Sequence, residues 1–114
     1  MGKLTTHVLD TYHGIAAAGV AIELKREGGE SLVRTATNAD GRCPQPLLEG
    51  EALATGTYEL SFDIAAYFRA KGVQLPEPPF LSTVTIRLGI ADAGSHYHVP
   101  LLASPWSYST YRGS

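Results

Sequence analysis

The stretch Val20-Ala21-Ile22-Glu23-Leu24-Lys25, followed by Glu27-Gly28-Gly29-Glu30 and then by Leu32 to Thr37, decides the fold class. Val20, Ile22 and Leu24 alternate with Ala21, Glu23 and Lys25, which is the period of a strand with one buried face. The Gly-Gly pair between two such runs is a hairpin turn. Leu32 to Thr37, rich in Val and Thr, is the returning strand.

The same period extends outward in both directions. Leu4, Thr6 and Val8 alternate with Thr5, His7 and Leu9, and Asp10 to Gly14 reads as a turn. Asn38-Ala39-Asp40-Gly41 is another turn, built from residues that tolerate left-handed backbone. Arg42 to Leu48 holds two prolines and reads as loop or edge. Tyr58, Leu60 and Phe62 mark a further strand, as do Val84, Ile86, Leu88 and Ile90. His96 to Leu102 and Trp106 to Tyr111 complete the set, joined at Ser104-Pro105.

One segment departs from this period. Asp63 is placed to cap a short helix whose apolar residues Ile64, Tyr67 and Phe68 recur at helical spacing. Arg69 and Lys71 suit its negative end, and Gly72 stops it. About seven or eight short strands with one inserted helix predict an all-β sandwich.

Composition narrows the class further. The 114 residues suit one domain, 1–114, with 44% hydrophobic and 18% charged residues. A net charge of -2 supplies no basic excess for nucleic acid or an anionic membrane. Cys43 is the one cysteine, so an intrachain disulfide is excluded. Met1 to His7 leads into polar alternation without an apolar secretory core, and the expected compartment is the cytoplasm.

Candidate chemistry rests on histidines and arginines. His96 and His98 share a strand face, and His7 lies opposite the Leu4/Val8 face. An outward histidine on a strand is most often a solvated surface residue. Two neutral imidazoles at one site can instead move a proton between water and a leaving nitrogen. Arg42 and Arg112 are available to bind a carbonyl-rich substrate or an oxyanion. A three-histidine zinc site from His7, His96 and His98 competes, as does Cys43 beside Arg42 as a nucleophile. Tyr111-Arg112-Gly113-Ser114 by itself reads as a frayed polar tail.

Taken together, four stretches resemble the 5-hydroxyisourate hydrolases, the transthyretin-related enzymes of urate breakdown. They are Thr6-His7-Val8-Leu9-Asp10, Asp40-Gly41-Arg42, His96-Tyr97-His98-Val99-Pro100-Leu101-Leu102, and Ser104-Pro105-Trp106-Ser107-Tyr108-Ser109-Thr110-Tyr111-Arg112-Gly113-Ser114. The resemblance covers essentially the whole chain. It implies a transthyretin-like sandwich of two four-stranded sheets with one short helix. It also implies a homotetramer, a dimer of dimers with active sites in the groove between dimers. The catalytic residues it implies are His7, Arg42 and His98, with Tyr111, Arg112 and Ser114 binding substrate. His96 is set apart as a lesser contributor. The implied reaction is attack of water on a ring carbonyl of 5-hydroxyisourate, giving a ureidoimidazoline acid, with no metal or organic cofactor. The alternative on the same scaffold is a small-ligand carrier without turnover. Ala103 and Trp106 stand where the family commonly has leucine and tyrosine.

Overall fold

In the computed structural model, which describes residues 2–113, the hairpin is formed by strands β3 (Ala21–Arg26) and β4 (Ser31–Ala36). Ile22 pairs with Thr35 and Leu24 with Val33, and a bulge follows Leu24. Gly28 takes a φ of +64°, the left-handed conformation the turn requires.

The other strands are β1 (Lys3–Asp10), β2 (Ile15–Ala16), β5 (Leu48–Glu49), β6 (Gly56–Asp63), β7 (Thr83–Ile90), β8 (Tyr97–Ala103) and β9 (Tyr108–Thr110). They make two sheets, one ordered β4-β3-β6-β7 and the other β2-β1-β8-β9, with β5 also on β1. The second sheet therefore has five strands where four were expected. The reason is local. β2 pairs with Leu9 and Asp10 at one end of β1, while β5 pairs with Lys3 and Leu4 at the other. Two short strands thus share one edge, and the sheet remains four strands wide.

Between the sheets lie Leu4, Val8, Leu24, Tyr58, Leu60, Phe62 and Leu101, all at 1% exposure or less. Each comes from the inward parity of its strand. Burying such side chains contributes roughly 1.5–3 kcal/mol each relative to exposure. The helix α1 (Ile64–Ala70) follows β6 directly. The Ala66 N–H donates to Asp63 Oδ1 at 3.1 Å, the expected cap. Ile64, Tyr67 and Phe68 are its buried face, and Gly72 at φ +87° ends it.

The last hairpin differs from expectation at Trp106. The strand was expected from Trp106, but β9 begins at Tyr108. Ser104 explains the difference. Its Oγ accepts from the N–H groups of Trp106 at 3.2 Å and Ser107 at 3.1 Å, which holds Trp106 in the turn. There its ring meets Tyr12 edge-on at 5.6 Å. No helix among the described residues is long and apolar enough to cross a membrane.

Candidate active site

β1 and β8 are neighbours in the sheet and run parallel, with Thr5 beside His98 and His7 beside Pro100. Strand parity then settles which residues share the outer face. Val99 and Leu101 are buried, so His98 faces outward with Thr5 and His7. An isolated bridge pairs His98 with Gly113, continuing the β8–β9 register in which Leu101 pairs with Thr110. That register sets Tyr111 opposite Pro100, in the row that contains His7.

A second isolated bridge pairs His7 with Arg42. The turn before Arg42 is held by Asn38, whose Oδ1 accepts from the N–H of Asp40 at 2.9 Å and of Arg42 at 3.2 Å. Gly41 has a φ of +76°, and a side chain there would collide with the Val8 carbonyl oxygen. The Val8 N–H donates to the Gly41 carbonyl at 2.8 Å, stitching the turn to β1. The same turn orients His7, because Nε2 lies 2.8 Å from the Asp40 carbonyl oxygen. A carbonyl oxygen only accepts, so Nε2 carries the proton and Nδ1 holds the lone pair of the neutral ring.

Lys3, Thr5, Arg42, His96 and His98 line one cleft of ≈ 410 Å³. His98 is half-buried in it, and its Nδ1 shares a hydrogen bond with Thr5 Oγ1 at 2.8 Å. The His98 pKa is held below the ordinary histidine value. Burial is the largest cause, followed by the positive charges of Arg42 and of His7 when protonated. The shift favours the neutral imidazole, the form whose lone pair a proton acceptor needs.

His7, Arg42 and His98 thus meet on one face, while Tyr111, just past the end of β9, lines a separate hollow with Tyr97, Val99 and Arg112. Arg112 does not join the cluster on that face. Its Nη2 donates to the His96 carbonyl at 2.9 Å, and its guanidinium lies 4.1 Å from the centre of the Tyr97 ring. Both contacts hold it toward the gap between the sheets. Ser114 lies outside the described residues. His96 lines the cleft but is exposed. Burial pushes the Cys43 thiol up, which makes it a poor thiolate nucleophile. Among the described residues, no three His, Cys, Asp or Glu side chains gather as a metal site, and His7, His96 and His98 do not form one.

Lys3 and Thr5 were not expected at the site. Their signal in the sequence was parity, since both alternate in phase with His7. A further hollow of ≈ 290 Å³ lies on the other sheet, lined by Glu23, Arg34, Ser61 and Asp63 among others. It holds no histidine, and Glu23 and Arg34 pair with each other at 3.0 Å.

Comparison with known proteins places these observations in a family. The model of the HIUase/Transthyretin family matches residues 4–113. The 5-hydroxyisourate hydrolase of Pseudomonas aeruginosa is 59% identical, across 100% of this chain and 93% of that protein. A crystal structure of (S)-allantoin synthase superposes with a TM-score of 0.94 at 45% identity, across 99% of this chain. The chain spans only 44% of that larger protein. The 5-hydroxyisourate hydrolase of Klebsiella pneumoniae superposes with a TM-score of 0.85 at 36% identity, across 100% of both chains.

Proposed function

We propose that this chain, which belongs to the HIUase/Transthyretin family, hydrolyses 5-hydroxyisourate and so opens its six-membered ring. The observation that carries the reading is that His98, hydrogen-bonded at Nδ1 to Thr5, lines one cleft with Arg42. The naming of the Pseudomonas aeruginosa relative as a hydrolase supports it.

The chemistry needs positioned proton transfer and charge stabilisation. A water oxygen attacks the ring carbonyl carbon while His98 Nε2 accepts the proton the water loses. The carbonyl electron pair moves onto oxygen, where Arg42 offsets the charge. That pair then re-forms the carbonyl, the C–N bond breaks, and the imidazolium returns the proton to the leaving nitrogen. One water is consumed, and a carboxylic acid and an N–H are formed. His7, fixed by Asp40 with Nδ1 free, accepts a hydrogen bond from the attacking water.

Tyr111, Arg112 and Ser114 bind the substrate in this reading. Arg112 takes up that role only by leaving Tyr97 and the His96 carbonyl. Residues 1–114 act as a single hydrolase domain in the cytoplasm. Four copies form a dimer of dimers, with the His7/His98 faces opposed across a groove. The exposure of Trp106, Tyr108 and Tyr111, at 55%, 46% and 61%, supports burial of this region in an assembly. Light scattering is expected to give four times the 12.2 kDa chain mass.

The decisive assay generates 5-hydroxyisourate from urate with a urate oxidase and follows its ultraviolet decay. The expected result is acceleration proportional to protein concentration. Decay at the uncatalysed rate would sink the enzyme reading, and saturable binding without turnover would favour the carrier.

A further inference from the structure

We infer that Gly113 is a positioning residue for His98, and that the absence of a side chain at this position keeps the imidazole in its working orientation. The inference rests on the proposed use of His98 as the proton acceptor.

Three observations carry it. Gly113 pairs with His98 across the sheet, and its N–H donates to the His98 carbonyl at 2.7 Å. The two residues therefore share a face, so anything attached to the Gly113 Cα points toward the imidazole. A Cβ built there would lie 2.7 Å from His98 Cδ2 and 3.3 Å from both Cβ and Cγ. Carbon atoms in good contact sit about 3.5–4.0 Å apart, so a methyl group forces the ring to move.

Backbone conformation does not demand a glycine here. Gly113 is not among the glycines with positive φ, so an L-residue fits its backbone. Space alone excludes a side chain. The ring is thus held on two sides, by Thr5 at Nδ1 and by the Gly113 backbone along the Cδ2 edge. Nε2 is the nitrogen left for water. A methyl group at 113 presses on the Cδ2 edge from the side opposite Thr5, distorts the Thr5 contact and misplaces Nε2. Misplacement on the scale of 1 Å can cost about 100-fold in rate.

Charge around His98 is untouched by this change. Lys3 on β1, Arg42 after its turn, and His7 and His96 all remain. A Gly113→Ala effect therefore separates from an electrostatic one.

The test compares wild-type protein with Gly113→Ala in the ultraviolet decay assay, with and without His98→Asn. Gly113→Ala is expected to lower kcat by about 10- to 100-fold with KM within about 2-fold. In the His98→Asn background the same change is expected to cost nothing further. Wild-type kcat in Gly113→Ala, or an equal loss in both backgrounds, would overturn the inference. Nitrogen-15 NMR of the His98 ring supplies a readout independent of turnover. Altered Nδ1 and Nε2 shifts, reporting a distorted Thr5 hydrogen bond, are expected in Gly113→Ala, while unchanged ring shifts would count against the inference. Should the wild-type protein itself fail to accelerate decay, the functional reading falls and the NMR comparison still decides the steric one.

Discussion

The hydroxyl of Thr5 lies 2.8 Å from Nδ1 of His98, joining the first long strand to the eighth across 93 positions of sequence. When Nδ1–H donates to that oxygen, the lone pair of the neutral ring sits on Nε2 and faces the cleft. In the proposed mechanism the hydroxyl accepts in this way, which leaves Nε2 able to take a proton from water. Thr5→Val keeps the β-branched shape and removes the hydroxyl. A hydrogen bond of about 1 kcal/mol is worth several-fold in rate, so kcat is expected to fall about 5- to 10-fold. Thr5→Ser is expected to restore it. Steady-state kinetics of the two variants checks this.

Arg42 acts on His98 through charge. Burial is the larger cause of the depressed His98 pKa, and the Arg42 cation adds to it by disfavouring the imidazolium. Removing that cation in Arg42→Met lets the ring hold its proton to higher pH. The acid limb of the kcat/KM profile is therefore expected to move upward, and the fraction of active base at neutral pH to fall. Loss of oxyanion stabilisation adds a drop of about 100-fold or more at all pH values. Following the His98 resonances against pH separates the two effects.

Lys3 lines the cleft beside His96, one strand step before Thr5. Hydrolysis of a ring amide leaves a carboxylate, and Lys3 places a positive charge at the cleft that would attract it. Lys3→Met is expected to raise KM about 3- to 10-fold while kcat stays within about 2-fold. Added salt should raise the wild-type KM and affect the variant less, since the charge is exposed and screened. Kinetics at two ionic strengths tests this.

Asp10 is a buried carboxylate away from the cleft. Burial pushes its pKa up, but the backbone N–H and imidazole of His13 and the Tyr67 hydroxyl outweigh that and lower it. The bonds are 2.8 Å, 2.6 Å and 2.8 Å long. The same pair, with burial the larger cause, pushes the Tyr67 hydroxyl upward. A depressed carboxyl contributes stability above its unfolded pKa and loses it as pH falls through the folded value. Asp10→Asn is expected to destabilise by about 1–3 kcal/mol at neutral pH. The gap to wild type should narrow below about pH 4, where the unfolded carboxyl begins to protonate. Urea unfolding at several pH values measures this.

Much of the architecture was legible because its causes are local. Alternation in Leu4 to Leu9 or Tyr58 to Phe62 reflects which side chains leave water, and that repeats every two residues whatever the partner strand is. The helix was equally legible, since Asp63, Ile64, Tyr67, Phe68 and Gly72 hold its cap, face and stop within ten positions. The turn holding Trp106 was not, because Ser104 bonding to its own neighbours outcompetes strand pairing there.

The sequence by itself determined the strand faces, the helix and the likeness that singled out His7, Arg42 and His98. Only the tertiary structure decided which strands meet and in what register. Parallel pairing of β1 with β8 brings Lys3 and Thr5 to His98, and the β8–β9 register carries Gly113 onto the imidazole. The same register turns Arg112 toward Tyr97. Gly113 belongs to the terminal tetrapeptide that marks the likeness, yet the sequence assigns it no role because it carries no functional group. Its role comes from the space it leaves empty, and that space exists only where two distant segments are packed together.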